Sequence, residues 1–171
     1  MNARGGRNGP VVRRIRGLAV AELLCIPIFT AVALLWKMPF TAANTAGLGL
    51  LLILLAEGGA YWWVKARQLA RDRPLPAGMP VFAALKRANL VPFAAGAAAI
   101  AAALAGGETG TRVWPGVFLW LFALVEQVNY FHVQLSHDNR ADLSRLLRTR
   151  RLHRSHLARD LERARRTPPA R

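Results

Sequence analysis

The sequence predicts an all-α membrane protein: a bundle of four transmembrane helices, marked by two tandem two-helix repeats and followed by a basic, amphipathic C-terminal tail. Three observations carry that expectation. Residues 17–36, 45–64, 88–105 and 113–133 form four apolar runs of about 18 to 21 residues, each long enough to cross ~30 Å of hydrocarbon at ~1.5 Å per residue. No run alternates polar and apolar side chains as a membrane β-strand must. Finally, the chain is 53% hydrophobic yet 19% charged, and its charges lie between the apolar runs rather than among them.

Residues 1–16 hold arginines and no acid, and read as a basic cytoplasmic segment. The apolar run that follows carries Glu22 near its start and Pro27 at its middle, where a missing backbone donor weakens the helix. Arg13-Arg14 ahead of it and Ala31-Val32-Ala33 within it make a weak match to an export signal, and we expect the segment to be retained as a helix. A turn at Lys37-Met38-Pro39 leads to the second run, which closes on an aromatic belt of Tyr61, Trp62 and Trp63. Pro74, Pro76 and Pro80 then break residues 71–80, which cannot be helical throughout.

The third run is nearly all Ala and Gly from Ala94 to Ala105. Such a helix is marginally hydrophobic and is expected to insert as a hairpin with the fourth. Its lack of bulk lets backbones approach closely, so a central position or a homo-oligomer interface is expected for it. In the tail, residues 134–171, Leu143, Leu146 and Leu147, then Leu157 and Leu161, recur at three- and four-residue spacing among arginines. This spacing predicts short amphipathic helices on the membrane surface.

Charge fixes the expected topology. Of 24 Lys and Arg, only Lys37 and Arg112 lie in the loops between the first and second and between the third and fourth runs. The positive-inside rule then places both termini and residues 65–87 in the cytoplasm. The strong arginine preference over lysine fits a GC-rich bacterial genome, hence the inner (plasma) membrane. A net charge of +15 accordingly serves topology first and contact with anionic lipid headgroups second. No aromatic-rich soluble domain accompanies the arginines, so nucleic acid is not an expected partner. The bilayer itself is.

The lone Cys25 rules out an intramolecular disulfide or a thiolate cage. His132 and His137 do not share a helical face. His153 and His156 do, but have no acids beside them, so no metal site is expected. Nucleophile elbows, phosphate loops and zinc-protease motifs are absent, and the sequence implies no particular cofactor.

One motif remains. Glu57-Gly58-Gly59-Ala60-Tyr61 aligns with Glu126-Gln127-Val128-Asn129-Tyr130, and with this register Gly47 matches Gly116 and Leu50 matches Leu119. At ~1.5 Å per residue, Glu57 lies ~18 Å and Glu126 ~20 Å from the outer ends of their runs, and Glu22 lies ~21 Å from Trp36. Three carboxyls thus share one level in the cytoplasmic half. Lipid exposure would cost each about 3 kcal/mol, so they are expected to face one another or a wet space. Helical spacing adds Tyr61 to Glu57, and Asn129 and Tyr130 to Glu126; Asn89 borders the same space. Glu22, Glu57, Tyr61, Asn89, Glu126, Asn129 and Tyr130 are therefore the candidate ligand-binding residues.

Three functions fit this set. The first is binding of a proton, cation or cationic ligand. The second is a membrane-embedded enzyme acting on a lipid or isoprenoid, with Glu57 or Glu126 as general acid or base. The third is a structural or accessory membrane subunit held together by these polar contacts.

Overall fold

The computed structural model describes residues 9–133 and 154–166. The described residues are helical throughout, apart from turns, loops and one isolated bridge between Val133 and Arg154. Helix α1 spans Gly9–Leu35, α2 Ala42–Ala70, α3 Met79–Ala88, α4 Leu90–Ala105, α5 Trp114–Phe131 and α6 His156–Arg166. Three segments are long and apolar enough to cross a membrane: α1, α2, and α3 continued by α4. The last turns of α5 carry Glu126, Gln127 and Asn129, which dilute its apolar character.

The helices overrun the apolar runs that announce them. α1 begins at Gly9, inside the basic N-terminal segment, and α2 continues through Lys65 and Arg67 to Ala70. Arginine and lysine are good helix formers, and long cationic side chains reach away from an apolar boundary without ending the helix. The prolines after α2 act unequally. Pro74 and Pro76 lie in the loop, whereas Pro80 occupies the first turn of α3, where its missing N–H has no intrahelical partner to lose. α3 and α4 meet at Asn89. Pro92 lies just beyond and cannot donate to the carbonyl of Ala88, which accounts for the break.

The central helix is α2, not the small-residue helix. α1, α4 and α5 all pack on α2, and its Leu48, Leu50, Leu51, Leu54 and Leu55 are buried. Its surface combines those leucines with Gly47, Gly58 and Gly59, so neighbours can approach from several sides. α4 corrects the expectation of a central position. It seats Gly96 against Trp120 and Leu50, inserts Phe93 beside Trp120, and leaves Ala94, Ala95, Ala97 and Ala98 exposed. Alanine offers too little side chain to fill the space between larger helices.

α2 and α5 run parallel, because Gly47 meets Gly116 near their starts and, further along both, Gly58 meets Tyr130. At the first crossing the two backbones touch: a Cβ on Gly47 would lie 2.3 Å from the Gly116 carbonyl oxygen, and one on Gly116 would lie 2.4 Å from that of Ala43. Asn44 locks this end. Its Nδ2 donates to the carbonyls of Pro39 (2.7 Å) and Thr111 (2.9 Å), and its Oδ1 accepts from the Gly116 N–H (2.7 Å). Thr41 caps α2 and also donates to the carbonyl of Arg112. The two aligned helix pairs pack differently, for α1 lies along much of α2 while α4 rests more on α2 than on α5.

The tail helix docks on the protein. Leu157, Asp160 and Leu161 are buried, with Ala164 beside them, so the apolar face expected to rest in lipid is turned inward against α3 and α5. Leu143, Leu146 and Leu147 lie outside the described residues.

Candidate functional site

The aligned glutamates, Glu57 and Glu126, sit in unlike surroundings. Glu57 is only 9% exposed, and its Oε2 accepts from Asn89 Nδ2 at 2.9 Å. The same amide group donates to Gln127 Oε1 at 3.1 Å, and Gln127 Nε2 donates onward to the Lys86 carbonyl at 3.4 Å. Glu57, Asn89 and Gln127 thus link α2, the α3–α4 joint and α5 in one buried chain. Glu57 Oε1 is buried without a hydrogen-bond partner.

Glu126 belongs to a second cluster. It accepts from Asn129 Nδ2 at 3.3 Å, one helical turn on. Glu22, from α1, is close enough to Glu126 for their charges to interact, and both carboxyls act on the Tyr130 hydroxyl. Tyr130 is 5% exposed, and its hydroxyl oxygen makes no hydrogen bond of ordinary geometry, although two acceptors stand near it. The ring is held from behind by Gly58, where a Cβ would lie 2.5 Å from Cζ and from the hydroxyl oxygen. Glycine at 58 is required by this close approach rather than by any backbone turn. Cys25, one turn beyond Glu22, also feels both carboxylates.

Tyr61 departs from the pattern. Its hydroxyl donates to Asp160 Oδ2 of α6 at 2.8 Å, and Lys65 Nζ donates to the same oxygen at 2.8 Å. Phe82 packs edge-on against the Tyr61 ring, and Trp62 stacks obliquely with it. Tyr130 also reaches α6, through its backbone, since its carbonyl accepts from the Ser155 hydroxyl that caps the helix. The two tyrosines of the repeated motif therefore both end on α6, one by hydroxyl and one by carbonyl.

The seven candidate residues thus fall into three groups. Glu22, Glu126, Asn129 and Tyr130 come together between α1 and α5. Glu57 and Asn89 come together at the α3–α4 joint, and Tyr61 is committed to α6. Sequence reasoning passed over Asn44, Gln127 and Asp160. Each left a signal: Asn44 is the sole amide in an otherwise apolar stretch, Gln127 stands inside the aligned motif, and Asp160 interrupts the Leu157–Leu161 face.

His132 closes α5, and its carbonyl accepts from the Ser155 N–H. Glu162 is held below the usual carboxylate range, chiefly by its hydrogen bond with Arg166 and next by the charge of Arg154. Neither belongs to the buried clusters. No family model, curated protein or solved structure matches this chain.

Proposed function

We propose that this chain is a polytopic inner-membrane protein with four spans and both termini cytoplasmic, whose Glu22–Glu126 pair binds a proton beside the Tyr130 hydroxyl. Three apolar helices support the membrane reading directly; α5 joins them as the fourth span through its parallel packing on α2. The observation that carries the site is the buried Tyr130 hydroxyl, unsatisfied by ordinary geometry yet near two carboxyls from different helices. Two ionised carboxylates would repel in a low-dielectric interior, and a proton held by one removes that cost. The Tyr130 O–H is then placed to donate to the carboxylate that remains.

Donor chemistry selects a proton among cations. Among the described residues, no group of three His, Cys, Asp or Glu side chains is placed to hold a metal ion. A proton needs one oxygen and a hydrogen-bonded neighbour. Glu57 has a different part in this reading: with Asn89 and Gln127 it fixes the α3–α4 joint to α2 and α5, and contributes structure rather than binding.

Infrared difference spectroscopy of the reconstituted protein across a pH titration tests the site. The carbonyl band of a neutral carboxyl should appear and saturate in the wild type, and should be lost in Glu22→Gln and Glu126→Gln, both of which remain helical by circular dichroism. If both variants keep the wild-type titration, the site does not bind the proton.

A further inference from the structure

We propose that the outward face of α6 is a docking surface for anionic lipid headgroups, bound by charge without insertion. The inference rests on the membrane-spanning reading above, since only then does α6 lie at headgroup depth. α6 has one face to spend on the protein and spends it fully: Leu157, Asp160, Leu161 and Ala164, spaced three and four residues apart, all pack inward. What remains outside is His156, Arg159, Arg163, Arg165 and Arg166, all exposed. The remaining acid of the helix, Glu162, is already paired with Arg154 and Arg166. The face therefore keeps a positive surplus and offers no apolar side chain to insert into a bilayer.

Its depth is set by the aromatic belt. The His156 ring lies 5.6 Å from that of Trp62, and the neighbouring Trp63 is exposed. Tryptophans at the end of a spanning helix sit at headgroup level, so a helix resting on Trp62 has its arginines beside lipid phosphates. The anchor is built to hold that position. Asp160 is buried and takes both the Tyr61 hydroxyl and the Lys65 ammonium, while Ser155 ties the start of α6 to α5. Arg67, Arg71 and Arg73 are exposed at the end of α2 and in the loop that leads to α3, and they extend the basic surface. With the helix held in place before any lipid arrives, binding costs no ordering of its backbone.

Thermal unfolding of the full-length protein in detergent, titrated with phosphatidylglycerol or phosphatidylcholine, tests the surface independently of sidedness. Phosphatidylglycerol should raise the midpoint saturably and phosphatidylcholine should not. In the combined variant Arg159→Gln, Arg165→Gln, Arg166→Gln, the apparent affinity should fall about fivefold for each arginine removed. The same three positions changed to Lys should restore it, because the attraction is to charge. An equal shift with phosphatidylcholine, an undiminished shift in the Gln variant, or the same shift from inorganic phosphate or an oligonucleotide would overturn the proposal. Failure of the spanning reading would show separately, as release of the protein from isolated membranes by alkaline carbonate.

Discussion

The two halves of α2 treat buried polarity in opposite ways. Near its start, Asn44 is fully buried and every polar atom of its side chain is used, with three hydrogen bonds to three other backbone segments. Just past its midpoint, Glu57 keeps one oxygen without a partner, and the adjacent Gly58 backs a tyrosine whose hydroxyl is also unpaired. A satisfied buried network rigidifies a fold, whereas an unsatisfied one costs stability and is retained where a ligand completes it. The first half therefore fixes the helices, and the second, through Gly58, seats the Tyr130 hydroxyl beside the carboxyl pair.

That contrast is broken most directly by Asn44→Ala. Removal strands the buried Gly116 N–H and takes a donor from the part-buried Pro39 and Thr111 carbonyls, and the loss should be about 2 kcal/mol or more. Denaturant unfolding measures it; a loss within error would mean that the closed end does not carry the fold. Gly116→Ala should cost about 2 kcal/mol by pushing α2 and α5 apart, since the Ala43 backbone, not a yielding side chain, stands in the way. The same measurement applies, and an unchanged midpoint would contradict the backbone contact.

Gly58→Ala sharpens the other side of the comparison. It alters no titratable group, yet it displaces the Tyr130 ring from its seat. We expect a modest stability loss, about 1 kcal/mol, together with a changed carboxyl titration by infrared spectroscopy. A wild-type titration in this variant would detach Tyr130 from the carboxyl pair. The smallest effect belongs to Glu162. Because its carboxyl is held below the ordinary range in the folded protein, its contribution to the α6 helix, made through Arg154 and Arg166, is present above the unfolded-chain value near pH ~4.3 and is lost as pH falls through the folded value. Helicity followed by circular dichroism should show a small acid-side step that Glu162→Gln removes.

Much of this fold was legible because hydrophobic length is a strong signal: runs of apolar residues announced α1, α2, α4 and α5. Their ends were not legible, because helix propensity carries Gly9–Arg16 and Lys65–Ala70 onward after hydropathy stops. α3 was hidden by Pro80, which reads as a breaker by composition and acts as a first-turn residue by position. In the site, spacing along one helix correctly gathered Glu126, Asn129 and Tyr130. Partners from other helices were another matter. Nothing local tells Tyr61 to bond Asp160 across 99 positions of chain, or distinguishes the surroundings of Glu57 from those of Glu126 despite their shared motif.

The backbone contact of Gly47 with Gly116 also has a mechanical meaning. Two helices that touch main chain to main chain, and are pinned by Asn44 at the same level, cannot slide or roll past one another without losing both contacts. α2 and α5 therefore behave as a single strut. Glu126 and Tyr130 ride on that strut, while Glu22 belongs to α1, whose Pro27 leaves the Leu23 carbonyl without its intrahelical donor. A tilt of α1 against the strut would alter the gap between Glu22 and Glu126 while Glu126 and Tyr130 keep their spacing. The carboxyl pair is a gauge of where α1 stands.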